Sequence, residues 1–395
     1  MDNDSIFQIT PIREKVVFSE GVSLKLDSTH QAAQNAVLKT NPDYSSDKKE
    51  YTVYYSIHMN QTMYNDMENI YKNNLTSIEK LLQRAKNNEK KLIKDDVFLF
   101  DEKYTNGAFE LKAAWVEIEA IEKDKRSQYI TVDDATINNK KKKVALIGLH
   151  IVGMVEGFPE LLWATFEGND LAPDRGGRMN SNMLLSKLNN NYHDDNITYE
   201  GKGDTGKPNV PYSVFRLHPL GYDKDKANND EKYRDKYEKH YLLTKDINSK
   251  ANSRKITYFY NGNVWMSGKE KDKLNIIKDG KIKENIAGSP QAANVTMETY
   301  FQSSKAIALN NCFTCHNGSK NVSKLDNLPN YTITFKGFPN TSHVFNDYLA
   351  EKTKLLSEGS NSENAYDRTK KDMMEYLENL KRSEEIKIER IYNSK

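Results

Sequence analysis

Apolar and polar positions alternate differently along the two ends of this chain. Lys15-Val16-Val17-Phe18 and Tyr51-Thr52-Val53-Tyr54-Tyr55-Ser56-Ile57 read as extended segments. From 62 to 87 the period changes. Met63, Met67, Ile70 and Tyr71 recur every three or four residues, and Leu81 and Leu82 continue the stripe, which predicts a long helix with inward-packing methionines. Residues 109–119 partly alternate, as a half-buried strand does. Residues 144–155 form the most apolar run, rich in β-branched residues and interrupted only by Gly148 and Gly153. That pattern predicts a central strand. Phe158-Pro159-Glu160 breaks the run, and Leu161-Leu162-Trp163-Ala164-Thr165-Phe166 follows as a second buried segment.

From about 168 to 252 the sequence reads as a long polar loop region, with turns at Arg175-Gly176-Gly177-Arg178 and Gly201-Lys202-Gly203-Asp204. Gly201, Gly206 and Lys207 have the spacing of a phosphate-binding loop. However, Pro208 replaces the Ser or Thr that would hold magnesium, and Pro208-Asn209-Val210-Pro211 cannot open the helix such a loop needs. Nucleotide binding is therefore set aside. Residues 256–260 read as a strand before Asn261-Gly262, 294–309 as a helix, and 362–388 as a charged helix with Tyr366, Met373, Leu377 and Leu380 on its apolar side. The expected class is α+β with a boundary near 290, and there is no internal repeat.

Composition changes this picture little. A chain of 395 residues with 37% hydrophobic and 10% aromatic residues can bury one large core or two ordinary ones. A net charge of +2 gives no global attraction to nucleic acid or anionic lipid, so no nucleic-acid partner is expected. The basic run Lys140-Lys141-Lys142-Lys143 reads as a solvated loop, or else as a docking site for a negatively charged redox partner protein. No run reaches the roughly 18 apolar residues of a membrane helix, and Met-Asp-Asn-Asp-Ser at the start lacks a signal-peptide pattern.

The candidate chemistry lies in Cys312-Phe313-Thr314-Cys315-His316. On a helical turn, thiols at i and i+3 share a face and an imidazole at i+4 projects from the same turn, the spacing of a c-type haem attachment. Asn317-Gly318 then stops the helix. These are the only two cysteines; a zinc site would need a second ligand pair, and a thioredoxin-like pair would want a strand before it and a helix opening at the first Cys. On this reading one haem c is attached through Cys312 and Cys315, with His316 as the proximal iron ligand. Candidates for the sixth ligand are His343, Met373, Met374 and Met297. His343 follows a proline-containing turn, whereas Met297 shares its segment with Tyr300 and Phe301 and with Tyr300 can line the haem pocket instead. His150, inside the apolar run, is a core residue or a donor to an iron-bound ligand. His58 and His218 read as structural.

Several further runs resemble a group of bacterial proteins described broadly as cytochrome c family proteins. They are Tyr54-Tyr55-Ser56-Ile57-His58-Met59-Asn60-Gln61, Glu110-Leu111-Lys112-Ala113-Ala114-Trp115, Trp163-Ala164-Thr165-Phe166-Glu167 and Thr296-Met297-Glu298-Thr299-Tyr300-Phe301-Gln302. The resemblance implies one covalent haem and a periplasmic or otherwise extracytoplasmic home, with the leader not present in this chain. It departs at Phe158 and Gly168, where related sequences tend to carry His. The combined expectation is a large strand-rich part over 1–289 followed by a mainly helical cytochrome c-like haem segment over 290–395. Two functions fit that picture: periplasmic electron transfer with a redox partner protein, or an oxidoreductase or sensor with an open iron site, peroxidase- or oxidase-like. A third reading makes the strand-rich part a partner-docking platform.

Overall fold

The apolar, β-branched run at 144–155 continues a strand that begins at Lys140 and has neighbours on both sides in the main sheet. The computed structural model describes residues 10–11, 38–87, 96–137, 140–174, 183–185, 214–253, 257–299, 311–325 and 328–358. The expected segments at 15–18, 175–178, 201–204 and 362–388 lie outside them, as do Tyr300, Met373 and Met374. In chain order the elements are β1 (Thr10–Pro11), β2 (Tyr54–Met59), α1 (Gln61–Asn87), β3 (Asp96–Leu99), β4 (Phe109–Glu117), β5 (Thr131–Ile137), β6 (Lys140–Val155), β7 (Phe158–Gly168), α2 (Lys224–Asn229), α3 (Glu231–Ser253), β8 (Tyr258–Met266), α4 (Glu270–Asp279), β9 (Ile286–Gly288), α5 (Cys312–Cys315), β10 (Ser319–Val322), β11 (Ile333–Lys336) and α6 (His343–Ser357).

Eight strands make one antiparallel sheet in the order β1-β2-β4-β6-β7-β8-β9. The 16-residue β6 pairs with β4 along one side, and with β5 and then β7 along the other, so β5 lies beside the start of β6 and off the main path. Helix α1 follows β2 directly. Asn60 accepts from the Met63 N–H at 3.0 Å, which caps the helix, and from the Phe109 N–H at 3.2 Å, which ties the cap to β4. The expected methionine stripe is buried as read: Met63, Met67, Ile70 and Tyr71 join Val152, Leu161 and Trp163 of the sheet in the largest core cluster.

The expected fold class needs correction in its last third. No mainly helical segment follows residue 290 among the described residues. Residues 295–299 form a turn, not a helix. Helices α5 and α6 are separated by strands β10 and β11, which join β3 in a second sheet of order β10-β11-β3. Buried Ile333 and Phe335 alternate with half-exposed Thr334 and Lys336, a strand period that sets the structure there. β11 runs parallel to β3, from Ile333↔Asp96 to Lys336↔Leu99. Phe335, Phe345 and Leu349 of this last third belong to the same core as α1. The polar stretch expected as loop also differs, since it carries α2 and the 23-residue α3.

Two buried ion pairs hold covering segments to the sheet. Arg216 donates from Nε to Glu167 at 2.6 Å, from Nη2 to the Gly168 carbonyl at 2.9 Å, and from Nη1 to the Ala172 carbonyl. The other Glu167 oxygen accepts from the Val295 N–H at 2.8 Å. Lys273 of α4 pairs with Glu160 at 3.2 Å and donates to the Gly157 carbonyl at 2.6 Å. No described helix is long and apolar enough to cross a membrane. Truncating Arg216 leaves Glu167 buried without its counter-charge. The variant Arg216→Met is therefore expected to lose about 3–5 kcal/mol of unfolding free energy, read as a lower urea midpoint with an unchanged slope.

Candidate functional site

Register brings a row of polar side chains onto the covered face of the sheet. Lys112 of β4 stands opposite His150 of β6, and His150 opposite Thr165 of β7, while Glu110 and Glu167 lie two positions along on the same side. Residues 294–299 pack over this row. Asn294 donates to the Thr165 hydroxyl at 3.1 Å and to the Phe166 carbonyl at 2.8 Å, and Tyr55 donates to the Thr296 carbonyl at 2.6 Å. This close approach requires Gly148, because a Cβ there would stand 2.1 Å from the Thr296 hydroxyl.

His150 Nε2 lies 3.0 Å from both carboxylate oxygens of Glu298, and Glu298 also accepts from the Asn294 N–H at 3.0 Å. Burial opposes ionisation of Glu298. His150, through its charge and its hydrogen bond, together with Lys112 and the Asn294 N–H, outweighs that cost and holds the carboxyl below its ordinary value. Glu110 has no such counter-charge. Burial pushes it up to about 7 against the partial opposition of the Ser342 hydroxyl, which donates to it at 2.7 Å.

The Cys-Phe-Thr-Cys-His run lies beside this row. Asn311 is extended, the one-turn helix α5 opens at Cys312, and the His316 N–H closes it on the Cys312 carbonyl at 2.9 Å. Gly318 ends the turn with φ of +72°, and a Cβ there would press on Ile277 at 2.6 Å. Phe313 points into the main core, and Cys312 and Cys315 form no disulfide. Burial, and then the Glu298 carboxylate, push the Cys312 thiol far above its ordinary value. His316 Nδ1 lies 2.7 Å from the Thr341 carbonyl. Because a carbonyl only accepts, Nδ1 carries the hydrogen and Nε2 keeps its lone pair. Burial, with His343 second, holds His316 well below the usual histidine range, so the ring is neutral.

The arrangement corrects the cofactor expectation of one haem c held through Cys312 and Cys315. The described residues contain no group of three or more His, Cys, Asp or Glu side chains able to hold a metal ion. The His316 ring packs 4.0 Å from Trp163 and 3.7 Å from His343, measured between ring centres. His343 is therefore stacked on His316, at 19° between planes, and two stacked imidazoles cannot stand on opposite sides of one iron. The His343 Nε2 instead meets the Cys315 carbonyl at 3.3 Å. Met297 is fully buried in a different cluster, with Val295 and Tyr55.

Other sequence candidates fall where their surroundings suggest. His58 is buried against the Ser56 hydroxyl at 2.6 Å, and burial lowers it to about 4. His218 lies 3.9 Å from Asp223. Sequence reasoning missed Glu110, Lys112, Glu298 and Ser342. The one available signal was a pair of charges, Glu110 and Lys112, at alternate positions just before the apolar stretch Ala113–Val116 of the same strand. No protein-family model, curated protein or solved structure matches the chain.

Glu110 sets a pH dependence with a definite sign. Its ordinary value is 4.5 and its folded value about 7, so between these the folded state binds the extra proton. That contribution is fully present below about 4.5 and is lost as pH rises to about 7, on the order of 3 kcal/mol in all. Subtracting the stability curve of Glu110→Gln from that of the unaltered protein should isolate this fall. A flat difference between pH 4.5 and 7.5 would show that Glu110 titrates normally.

Proposed function

We propose that this chain is a redox protein related to the bacterial group named above, passing electrons to or from a partner protein through the Cys312–Cys315 dithiol. The observation that carries the reading is the turn itself: the only two cysteines, at i and i+3, on a helix that opens at the first of them beside a neutral imidazole. A helix opening at the first Cys is what a dithiol redox pair wants and the sequence did not reveal. Cofactor chemistry is not carried over from the resemblance. An extracytoplasmic home suits a disulfide that must persist between encounters.

The step balances as thiol–disulfide exchange. A thiolate of the pair attacks one sulfur of a disulfide in the partner and expels the partner's other sulfur, which takes a proton. The second thiol then loses its proton and attacks the mixed disulfide. Cys312 and Cys315 end oxidised to a disulfide, and the partner ends reduced to a dithiol. The proton that the second thiol releases passes to solvent, because burial keeps His316 neutral. Burial makes the Cys312 thiol a weak attacking group, and on that ground we assign the opening attack to Cys315 and the closing one to Cys312.

In glutathione buffers the two thiols should disappear together in one two-electron transition. At pH 7.5 iodoacetamide should modify Cys315 in Cys312→Ser at least tenfold faster than Cys312 in Cys315→Ser. Equal rates would remove the assigned order. Failure to form the disulfide, or an isolated protein with a tetrapyrrole on both sulfurs by intact mass, would sink the redox-dithiol reading.

A further inference from the structure

A cavity of about 280 Å³ opens behind the same turn, between α4 and the second sheet. Ile277, Ile282, Ile286 and Phe313 make its apolar wall, as in small-molecule sites generally. Its polar side chains come from two adjoining segments. Thr314 and Asn317 belong to the cysteine turn, while Ser319 and Lys336 are cross-strand partners on one face of β10 and β11. Asn311 borders the cavity without serving it, because both polar atoms of its amide are buried. Gly280 leaves a way in: nothing lies within 4 Å of the place that a Cβ would take there. Among the described residues of the lining, Lys336 carries the only charge. Its Nζ donates to the Lys278 carbonyl at 2.9 Å, in the last turn of α4, which holds the ammonium at the cavity. That bond uses one of the ammonium's three donors. Lys278 pairs with Asp101 at 3.8 Å and Lys320 with Asp347 at 3.2 Å, but no described carboxylate pairs with Lys336.

We propose that this cavity binds a small monocarboxylate with an apolar body. The carboxylate accepts from Lys336 Nζ and from the Ser319 hydroxyl beside it, while the body lies against Ile277, Ile282, Ile286 and Phe313. One cation above an apolar wall suits a single negative charge. A phosphate dianion would want more donors than these, and a ligand cation would be repelled by Lys336. A cavity of about 150 Å³ holds benzene, so this one has room for a ring and its carboxylate. The two cysteines are not among the lining residues, and the inference does not rest on the dithiol reading.

The test uses the full chain near neutral pH with benzoate as probe, followed by saturation-transfer NMR and thermal denaturation. Benzoate is expected to bind saturably and raise the melting temperature. Benzamide, nearly the same shape without the charge, should bind about tenfold more weakly, because it exchanges a charge-assisted hydrogen bond for an ordinary one. Acetate, a head without a body, should not displace benzoate at equal concentration. Lys336→Met keeps an apolar stem in place of the ammonium and should weaken benzoate binding by about tenfold as well. No saturable benzoate binding, equal binding of benzoate and benzamide, displacement by acetate, or undiminished binding to Lys336→Met would overturn the proposal. If Lys336→Met does not fold, the comparison of benzoate with benzamide and acetate on the unaltered protein decides alone.

Discussion

An ionisable side chain on the covered face of a sheet must be paired or neutralised where it stands, and in this protein every such partner arrives from a distant part of the chain. Glu167 meets Arg216, His150 meets Glu298, and Glu110 meets Ser342. Leaving one of these groups unmet costs far more than the net gain from an ordinary hydrogen bond. The sheet is therefore incomplete until residues 294–299 and the turn before α6 have settled on it. The polar row that these segments cover is also the floor of the cysteine turn, so assembly of the fold and assembly of the site are one event.

Two adjacent residues carry much of that coupling. The Thr341 carbonyl fixes the His316 tautomer, while the Ser342 hydroxyl both donates to Glu110 and accepts from the Phe345 N–H at 3.2 Å to start α6. A change in the charge of Glu110 is thus felt at the cap of α6 and, one residue earlier, at the imidazole beside the thiols. Tyr104 braces the same turn by donating to the Pro339 carbonyl at 3.0 Å.

What could be read in the sequence was what depends on local period. Met63, Met67, Ile70 and Tyr71 gave away α1, and the β-branched run gave away β6, because each element buries a continuous apolar stripe. Helix α3 escaped because its inward side is Tyr233, Tyr237, Thr244 and Asn248, tyrosines and polar residues with no apolar signature. β10 and β11 escaped because four residues are too few to establish a period. The helical expectation for the last third came from the periods read at 294–309 and 362–388, the five-residue motif and a resemblance, and none of these constrains the backbone between residues 319 and 336. At the site, Cys312, Cys315 and His316 announced themselves by spacing. Glu298, Ser342 and the stacking of His343 on His316 depend on tertiary placement, which spacing does not encode.

The parallel pairing of β3 with β11 has a consequence for synthesis. β3 leaves the ribosome early, and its partner follows 237 residues later, as the pairing of Ile333 with Asp96 gives, a wait of about 10–50 s at ordinary elongation rates. Through that interval an edge bearing Val97 and Leu99, exposed even in the finished fold, has no strand beside it. The second sheet thus cannot form until β11 has been made, when α6 is the only described strand or α-helix still to come. A nascent chain stalled anywhere before residue 333 presents a bare, apolar strand to whatever holds or degrades unfinished proteins.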